Sequence, residues 1–407
     1  MTTYYKREIA PLVARALQNL PVVVITGLRQ TGKTTFLQRD GAFRGRRYLS
    51  LDDFATLEAA RREPESLLEG EEPVTIDEAQ RSPELLKAVK FAVDRRRVPG
   101  QFLLSGSANL ALLGSVSESL AGRALYVTLH PFTRRERKKA SKIPFAVRFI
   151  ESPTLSRPIP AVPINDKEIL DGGMPSIVLE EAKDRGLWLL GYEQTYLERD
   201  VRELAQITDL ISFRNVVRLA ALRTGQILNL SELARDAKLP VSTVTRYVNL
   251  LETSFVIARL HPTLRSRTTR LIKSPKIFLS DSGLACHLTG VFDLGASADE
   301  PMRGALFETY FLQNLAAILG AHLPKAEIGF WNVQGRHEVD FVITHGRRSV
   351  AIEVKSGTRF SDRDLAGLQT FASKTPGVAA CVLAYNGTEA VQLGERLFAI
   401  PLGLLLS

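Results

Sequence analysis

Short apolar runs alternate with amphipathic segments over the first third of the chain. Five of the runs have the length and the β-branched content of buried strands, at residues 21–26, 46–51, 73–77, 101–105 and 124–129. Strands that alternate with helices build a parallel sheet with helices on both faces. The pattern therefore predicts an α/β domain over residues 1–140.

The pattern changes beyond this first domain. Residues 140–165 are rich in proline, which predicts an irregular connection between domains. Helical periodicity then returns over residues 180–205. We therefore expect a linker and a helical lid over residues 141–210.

Residues 211–276 have the pattern of three short helices followed by a strand. Ser231 and Ser242 have the residue type of helix N-caps and each precedes a helical segment. The last helix, "STVTRYVNLLE", carries an apolar stripe at helical spacing, formed by Val244, Tyr247, Val248 and Leu251. This order of elements predicts a helix-turn-helix.

The opposite face of that last helix is polar and has groups that can reach bases or phosphates: Thr243, Thr245, Arg246 and Asn249. The basic segment 264–276 follows at the position of a wing, and three of its arginines are candidate DNA contacts: Arg265, Arg267 and Arg270. The pattern indicates a winged helix-turn-helix. The alternative is a module that docks against another domain or a protein partner without contacting DNA.

The stretch "EVDFVITHGRRSVAIEVKSG" at residues 338–357 predicts a β-hairpin with a two-residue turn at Gly346-Arg347. In that register Asp340 faces Glu353 and Glu338 faces Lys355, with all four side chains on one face of the sheet. Directly opposed carboxylates repel each other. A divalent cation between Asp340 and Glu353 would remove that repulsion.

We therefore hypothesise a metal site within residues 277–407, which is called the second metal site below because the phosphate-binding loop supplies another. Its candidate residues are Glu308, from a preceding helix, together with Asp340, Glu353 and Lys355. A helix, an Asp and a later Glu-x-Lys are the arrangement of PD-(D/E)XK nucleases, which hold metal ions for phosphodiester hydrolysis. The alternative is a set of ion pairs, with Glu338 paired to Lys355 and nearby arginines serving the other acids.

Composition narrows the class of protein. The chain has 407 residues, of which 45% are hydrophobic and 24% charged, the balance of a globular protein. No apolar run reaches the length of a membrane span, so we expect no membrane segment. The two cysteines, Cys286 and Cys381, form no CxxC pair. We therefore expect neither a disulfide framework nor a cysteine-based zinc site, and a protein of the reducing cytoplasm fits this composition.

The charge of the chain favours a polyanionic partner. The formal net charge is +9, and basic residues concentrate in the runs 134–142 and 264–276. Solvated surface loops are the alternative explanation for either run taken alone.

The turn after the first strand carries the clearest chemical motif. Residues 27–34, "GLRQTGKT", match GxxxxGK[ST] between a strand and a helix, which predicts a phosphate-binding loop. We expect ATP to contact the backbone and side chains of this loop: Gly27, Leu28, Arg29, Gln30, Thr31, Gly32, Lys33, Thr34 and Thr35. Lys33 would reach the β- and γ-phosphates, and the Thr34 hydroxyl would bind Mg²⁺.

Later strands supply candidate partners for this loop. Asp77 and Glu78 end the strand "VTIDE", where Asp77 would hold Mg²⁺ and Glu78 would polarise the attacking water. Ser105 and Ser107 lie at the end of the fourth strand and are candidates to sense the γ-phosphate. Arg123 is either an arginine finger or sensor, acting within one chain or between chains of an oligomer, or an ordinary surface arginine.

These motifs, in this order, resemble the prokaryotic AAA-type P-loop ATPases with a C-terminal domain of unknown function. The match includes "GLRQTGKTT", "VTIDEAQ", "LLSGSAN", "YLERDV", "FLSDSGLA" and "GALFETY". It implies ATP hydrolysis with Mg²⁺, a winged helix and a nuclease-like tail, with Lys33 and Thr34 as ligands and Asp77 and Glu78 as the hydrolytic pair. Met174 in "GGMPS" stands where an aromatic residue is usual.

The sequence thus predicts an α/β fold with an AAA+-type P-loop NTPase parallel sheet, a helical lid, a winged helix-turn-helix and a PD-(D/E)XK-like α/β domain. The expected boundaries are 1–140, 141–210, 211–276 and 277–407. The expected function is a cytoplasmic Mg²⁺-dependent ATPase that acts on or is recruited to DNA, and that assembles with copies of itself if Arg123 acts between chains. The alternatives are an ATP-driven switch that binds proteins and an ATP-gated nuclease of defence systems or mobile elements.

Overall fold

The computed structural model describes residues 4–106, 120, 122–155, 159–195, 209–263, 273–295, 297, 299–333 and 337–407. The chain divides into two compact units. Unit 1 comprises Met1–Pro131 with Thr253–Phe255, and unit 2 comprises Phe132–Glu252 with Val256–Ser407. The finer division into four domains remains a prediction.

Unit 1 is built on a five-stranded sheet. Its strands are β1 (Val22–Thr26), β2 (Arg47–Ser50), β3 (Val74–Asp77), β4 (Phe102–Ser105) and β5 (Ala124–Thr128). They lie in the order β2-β3-β4-β1-β5, and every neighbouring pair is parallel. The five predicted strands and the parallel sheet are confirmed.

In the described part of unit 1, α1 (Ala10–Leu17) precedes β1, and three helices connect the strands: α2 (Lys33–Arg39), α3 (Phe54–Arg62) and α4 (Pro83–Arg95). The strands β1, β3 and β4 are buried along their whole length, as expected for parallel strands covered on both faces. Their side chains pack with α3 and α4 in one apolar cluster that includes Val24, Ile76, Leu104 and Val89. This core fixes the carboxyl ends of β1, β3 and β4 side by side.

Unit 2 begins with short helices and continues into a second group of helices. The first are α5 (Arg134–Arg137), α6 (Phe145–Glu151), α7 (Asp166–Asp171), α8 (Pro175–Val178) and α9 (Arg185–Tyr192). The second are α10 (Leu210–Ala221), α11 (Leu230–Ala237) and α12 (Val241–Thr253). An antiparallel pair of strands follows, β6 (Ile257–Leu260) and β7 (Lys276–Leu279).

The rest of unit 2 surrounds a six-stranded mixed sheet. Helices α13 (Ser282–Thr289) and α14 (Glu300–His322) precede it. Its strands are β8 (Glu327–Val333), β9 (His337–His345), β10 (Arg348–Lys355), β11 (Val378–Tyr385), β12 (Val391–Gln392) and β13 (Leu397–Pro401). Helix α15 (Ala366–Lys374) connects β10 to β11, and α16 (Leu402–Leu405) follows β13.

The order of this sheet is β12-β13-β11-β10-β9-β8. Strand β10 is antiparallel to β9 and parallel to β11. The predicted hairpin register is confirmed from Arg348 opposite His345 to Ile352 opposite Phe341. Beyond these pairs, the Val354 N–H of β10 donates to the Asp340 carboxylate of β9 at 2.9 Å. This acid is therefore hydrogen-bonded to the backbone of the partner strand.

Two local expectations were wrong, and so was one alternative explanation. The proline-rich segment 140–165 contains α6, because Phe145 and Phe149 stack one turn apart at 5.9 Å and bury one helical face. The run 134–142 is not simply a solvated loop, because Arg134 and Arg135 are buried. Ser231 and Ser242 lie inside α11 and α12, and the cap of α11 is Asn229, whose side chain accepts from the Glu232 N–H.

The apolar stripe predicted on α12 is confirmed, since Val244, Tyr247, Val248 and Leu251 are all buried. Within the described ranges, every helix is too short or too polar to cross a lipid bilayer.

Candidate functional site

The loop between β1 and α2 has the backbone of a phosphate-binding loop. Gly27 has a φ of +138°, and a Cβ there would collide with the Leu129 carbonyl oxygen. Gly32, at the start of α2, is left-handed with a φ of +86°. Both positions therefore require glycine, and the turn brings the N-terminus of α2 to the carboxyl edge of the sheet.

Lys33 lies inside this loop. Its Nζ donates to the Gly27 and Leu28 carbonyl oxygens at 3.1 and 3.0 Å. Burial lowers its pKa to about 8, although Glu78 and Asp77 partly oppose this effect. An ammonium held with few surrounding waters interacts strongly with a phosphate that enters the loop.

Asp77 is the centre of the hydrogen-bond network beside the loop. Its Oδ2 accepts from the Thr34 hydroxyl and from the Tyr48 hydroxyl, both at 2.7 Å. Its Oδ1 accepts from the Ser105 hydroxyl, because β4 lies between β1 and β3. Asp77 is only 2% exposed. The structure thus brings together Thr34, Asp77 and Ser105 as the sequence predicted.

The oxygens of Thr34 and Asp77 fit a magnesium ion. Mg²⁺ binds hydroxyl, carboxylate and water oxygens and is usually held by one or two protein groups together with substrate phosphates. These two side chains already touch at 2.7 Å and lie beside Lys33, where the phosphates would enter. When bound, Mg²⁺ neutralises charge on the β- and γ-phosphates.

Glu78 follows Asp77 in a strained backbone conformation. It is a non-glycine residue with a φ of +54°, a conformation that costs about 1–3 kcal/mol and is common at functional sites. Its Oε2 accepts a hydrogen bond from the Gln80 side-chain amide. This left-handed conformation turns the chain at Glu78, directly after β3 ends at Asp77.

Three residues of this site were missed from the sequence. Tyr48 and Gln80 contact the two acids, as described above. Arg7 is buried and donates to the Thr31 carbonyl oxygen at 2.8 Å and to the His130 carbonyl oxygen at 2.5 Å. Arg7 therefore links the phosphate-binding loop to the chain that follows β5. Arg7 belongs to the segment "YYKREI" at residues 4–9, whose pattern gave no indication of the contact.

The remaining loop residues divide into two groups. Thr31 is buried and its hydroxyl donates to the Leu28 carbonyl oxygen at 2.8 Å, which closes the loop on itself. Arg29, Gln30 and Thr35 are exposed at the loop or the first turn of α2. Their contacts with ATP stay predictions.

Arg123 is placed away from the loop of its own chain. It precedes Ala124, which pairs with Val22 at the amino end of β1, whereas the loop follows the carboxyl end of that strand. Its Nε donates to Asp94 at 2.5 Å. A role for Arg123 at the nucleotide of the same chain is therefore wrong, and a role between chains stays a prediction. Ser107 lies outside the described residues.

The predicted second metal site is a cluster of ion pairs in unit 2. Lys276, at the start of β7, forms ion pairs with Glu338 and, at 3.5 Å, with Asp340. Lys355 contacts Glu353 at 3.2 Å. Across the described ranges, no group of three or more His, Cys, Asp or Glu residues has the arrangement of a metal site.

The prediction that Glu308, Asp340 and Glu353 form a metal site in this arrangement was therefore wrong. The physical reason is that an ammonium group lies among the carboxylates and neutralises them. Burial, with the charge of Asp340, raises the pKa of both Glu308 and Glu353 above the ordinary value. The sequence offered no signal for Lys276, which lies at the end of the basic run 264–276.

The candidate DNA-binding face of α12 is partly engaged with the protein itself. Arg246 and Asn249 are exposed, whereas Thr243 and Thr245 are half-buried. The Thr245 hydroxyl donates to the Val241 carbonyl oxygen at 2.8 Å, and the Asn249 amide oxygen accepts from Arg259 at 2.6 Å. Arg265, Arg267 and Arg270 lie outside the described residues.

Comparison with known protein families gives three matches along the chain. Residues 19–138 match an AAA domain. Residues 165–295 match the domain of unknown function DUF8612, and residues 303–405 match the domain of unknown function DUF4143.

Two related proteins are similar to this chain in sequence, one over almost its whole length and one over about half of it. Rv2008c, an uncharacterized protein of Mycobacterium tuberculosis, is 30% identical over 405 residues, which cover 99% of this chain and 85% of Rv2008c. An uncharacterized protein of Haemophilus influenzae is 22% identical over 193 residues, which cover 46% of each chain.

Solved structures also show a likeness. The Walker-type ATPase PABY2304 of Pyrococcus abyssi is 17% identical with a TM-score of 0.44, over 70% of this chain and 96% of that chain. The RuvB Holliday junction branch migration motor of Thermotoga maritima is 18% identical with a TM-score of 0.30, over 63% of this chain and 90% of that chain. These TM-scores are too low to carry an argument about the site.

Proposed function

This chain belongs to the family of Rv2008c from Mycobacterium tuberculosis and contains an AAA-type P-loop domain, and on that premise we propose that it is a Mg²⁺-dependent ATPase recruited to DNA. The observation that carries the ATPase proposal is the contact of Thr34 with Asp77 beside the buried Lys33. Lys33 and Thr34 begin the helix that follows β1, and Asp77 ends β3. Their side chains lie side by side, as phosphate and metal binding require.

In the proposed reaction each side chain has one task. Lys33 binds the β- and γ-phosphates, and Asp77 and Thr34 hold the metal. Glu78 orients a water and accepts its proton, while Gln80 fixes the Glu78 carboxylate through the hydrogen bond already present. Ser105 holds Asp77 through its hydroxyl, so it would transmit a change at the γ-phosphate by way of that acid.

Recruitment to DNA is proposed for residues 210–279. Helices α11 and α12 are joined by a short turn, and the antiparallel strands β6 and β7 follow, which is the element order of a winged helix. Arg246 on α12 is exposed and available for a phosphate contact. The cytoplasm stays the predicted location, and a homo-oligomer that uses Arg123 between chains stays a proposal.

For the C-terminal residues we propose a PD-(D/E)XK-like fold without nuclease activity in the arrangement described. The long helix α14, the hairpin β9–β10 and the parallel pair β10–β11 joined by α15 support this fold. The ion pairs of Lys276 favour an inactive carboxylate cluster over a working metal centre. The domain would then serve as a binding or scaffolding surface.

The ATPase proposal is tested with Lys33→Ala, Glu78→Gln and the control Lys87→Ala, which changes an exposed lysine on α4 of the same unit. We expect Lys33→Ala to weaken ATP binding by more than about tenfold, because a charge-assisted contact worth about 1.5–3 kcal/mol is lost. Glu78→Gln should retain ATP binding and lose hydrolysis. Binding is measured by calorimetry and hydrolysis by phosphate release with and without Mg²⁺.

The control Lys87→Ala should behave as wild type in both assays. Unchanged ATP affinity in Lys33→Ala would contradict the assignment of the loop. Hydrolysis at the wild-type rate in Glu78→Gln would leave the loop as a nucleotide-binding site and remove Glu78 from the reaction.

A further inference from the structure

A cavity of about 390 Å³ lies at the amino-terminal edge of the unit 1 sheet. Four parts of the chain line it: α1, residues 42–46, residues 70–73 and residues 96–101. The last three end directly before β2, β3 and β4. The phosphate-binding loop follows the carboxyl end of β1, at the opposite edge of this parallel sheet. The cavity is therefore separate from the proposed nucleotide site.

Arg46 is half-buried in the lining of this cavity and is fixed by the ends of two strands. Its guanidinium donates to the carbonyl oxygens of Val74 and Gly100, both at 2.7 Å. It also donates to the Gln101 carbonyl oxygen at 3.2 Å and to the Thr75 hydroxyl at 3.0 Å. These bonds use four of the five N–H groups of an arginine, and one on Nη1 is left for a further acceptor.

The positive charge of Arg46 has no acidic partner in the described part of the chain. All four hydrogen bonds of its guanidinium go to neutral oxygens. Burial lowers the pKa of Arg46 to about 10, so the side chain is still charged at neutral pH. A partly buried charge is stabilised when an opposite charge is brought to it. Arg46 therefore favours an anion in the cavity.

Two more arginines line the cavity, Arg44 and Arg96, and both are exposed. Arg96 contacts Glu71 at 3.4 Å, and these side chains are 68% and 89% exposed. A pair so exposed is weak, so Arg96 can exchange this partner for another anion. Among the described residues of the lining Glu71 is the one acid, so three positive charges and one negative give a net charge of +2.

Gln101 lines the same cavity, and its side chain is free to adapt. The side-chain Oε1 is inaccessible to solvent and has no hydrogen-bond partner within the ranges that the structure describes. Turning the amide toward a ligand would therefore break no hydrogen bond of this oxygen, and would remove the cost of a buried acceptor without a partner.

We propose that this cavity binds a small organic molecule that carries a phosphate monoester, with Arg44, Arg46 and Arg96 as the groups that hold the phosphate. A phosphate monoester has a charge of about −1.5 to −2 at neutral pH, which matches the net charge of the lining. Guanidinium groups bind phosphate oxygens through paired N–H groups.

The shape of the site favours a small molecule over a polymer. The cavity has the volume of a small-molecule site and is enclosed by four parts of the chain. Leu17 and Val98 belong to the lining and offer apolar surface to the organic part of the ligand. This inference depends neither on the proposed ATPase activity nor on the proposed recruitment to DNA.

The test measures binding of ribose 5-phosphate to the full-length protein by isothermal titration calorimetry. Inorganic phosphate is the second probe, and ribose, which lacks the phosphate, is the control ligand. Every sample carries Lys33→Ala, so that the phosphate-binding loop contributes little to the signal. Arg46 is left intact because its hydrogen bonds hold the ends of β3 and β4.

Two variants change the charge of the cavity in opposite directions. Arg44→Gln with Arg96→Gln makes the lining neutral, and Glu71→Gln removes its acid. The matched control is Arg61→Gln with Arg62→Gln, which removes two exposed arginines on α3 of the same unit. Circular dichroism verifies that each variant is folded.

We expect ribose 5-phosphate to bind and ribose not to bind. The affinity for ribose 5-phosphate should fall at least about tenfold in Arg44→Gln with Arg96→Gln, because charge-assisted hydrogen bonds are lost. It should rise about threefold in Glu71→Gln, because Arg96 no longer has a competing partner. The control with both α3 arginines changed should bind as the Lys33→Ala background does. A gain in affinity cannot come from damage to the fold.

Three results would overturn the proposal. One is no binding of ribose 5-phosphate at millimolar concentrations, including binding of inorganic phosphate alone. Another is equal affinity when Arg44 and Arg96 are both changed. The third is a single-stranded oligonucleotide that binds more tightly than ribose 5-phosphate and depends on the same two arginines, which would make this edge of the sheet a nucleic-acid surface.

Discussion

At the scale of single residues, Asp77 shows what the sequence could and could not predict. Its position at the end of a buried strand, and that of Thr34 after the glycine loop, predicted their meeting, because parallel strands end at one edge of a sheet. Tyr48 could not be found in this way. Its hydroxyl reaches Asp77 from β2, and the length of a tyrosine side chain, not a motif, makes that contact.

Tyr48→Phe tests the role of this contact in hydrolysis. The Tyr48 hydroxyl and the Thr34 hydroxyl share one oxygen of Asp77, so Tyr48 would continue to hold the carboxylate when Thr34 turns to the metal. A hydrogen bond to a charged group is worth about 1.5–3 kcal/mol. We expect kcat to fall about 10- to 100-fold. The Mg²⁺ concentration that gives the half-maximal rate should rise, whereas ATP affinity should change by less than about threefold.

The matched control is Tyr126→Phe, the same chemical change at a partly exposed tyrosine on β5. Phosphate release is measured against Mg²⁺ concentration for both variants. Equal kcat and equal Mg²⁺ dependence in Tyr48→Phe and wild type would show that Tyr48 has no positioning role.

The pKa of Lys33 predicts a pH dependence of ATP binding. Burial lowers this pKa to about 8, so the free protein loses the ammonium charge as the pH rises through 8. Bound phosphates favour the ammonium and raise the pKa in the complex. Binding above pH 8 therefore takes up a proton, and ATP affinity should fall by up to about tenfold per pH unit.

Calorimetry between pH 7.5 and 9.5 measures this slope. Lys33→Met should bind ATP weakly and without the slope, whereas Lys87→Met should behave as wild type. A slope that persists unchanged in Lys33→Met would assign the pH dependence to another group.

At the scale of secondary-structure elements, α5 shows why charge runs mislead. Its sequence "RRER" suggested a basic surface, yet Arg134 is 3% exposed. The guanidinium donates to Glu168 at 2.8 Å and to the Gly403 carbonyl oxygen at 2.8 Å. The partners lie 34 and 269 residues away in sequence. A local pattern cannot reveal partners at that distance, whereas the hairpin β9–β10 was predictable because a two-residue turn fixes its register.

Arg134→Met should therefore destabilise unit 2. The change leaves Glu168 buried without its ion-pair partner, and breaking a buried pair costs about 3–5 kcal/mol. Urea unfolding followed by tryptophan fluorescence measures the effect, since Trp188 and Trp331 both lie in unit 2.

The comparison variant is Arg235→Met, which removes an exposed arginine paired with Asp236. An exposed pair contributes at most about 1 kcal/mol, so its unfolding midpoint should stay close to that of wild type. An equally small shift in Arg134→Met would mean that the Glu168 carboxyl finds another partner or becomes neutral.

At the scale of the whole molecule, the sequence predicted the parallel sheet of unit 1 well and the organisation of unit 2 less well. Five β-branched runs separated by helices leave few ways to build a sheet. In unit 2 the residues that meet come from distant parts of the chain, as Lys276 and Glu338 do. The net charge of +9 favours a polyanionic partner, which stays a prediction, and it could not say which arginines are exposed.

Arg246→Ala tests the proposed DNA contact of the whole protein. We expect weaker binding to duplex DNA, and a slope of log affinity against log salt that is smaller by about one, because one phosphate contact is lost. Fluorescence anisotropy between 50 and 300 mM salt provides the measurement. Arg62→Ala, at an exposed arginine of α3, is the control and should keep the wild-type slope.

Binding of wild-type protein that does not depend on salt, or no binding at all, would contradict recruitment to DNA. The protein-binding switch would then be the better explanation for the exposed face of α12.

The strand order of unit 1 also has a consequence for how the protein is made. Strand β1 lies between β4 and β5, so its neighbours are synthesised about 75 to 100 residues after it. The pair β2–β3 can form early, while the segment that carries the glycine loop has to wait for residues 102–105 before it joins the sheet. Contacts between distant residues form slowly. A nascent chain therefore acquires its affinity for nucleotide in one late step, when β4 inserts between the two halves of the site.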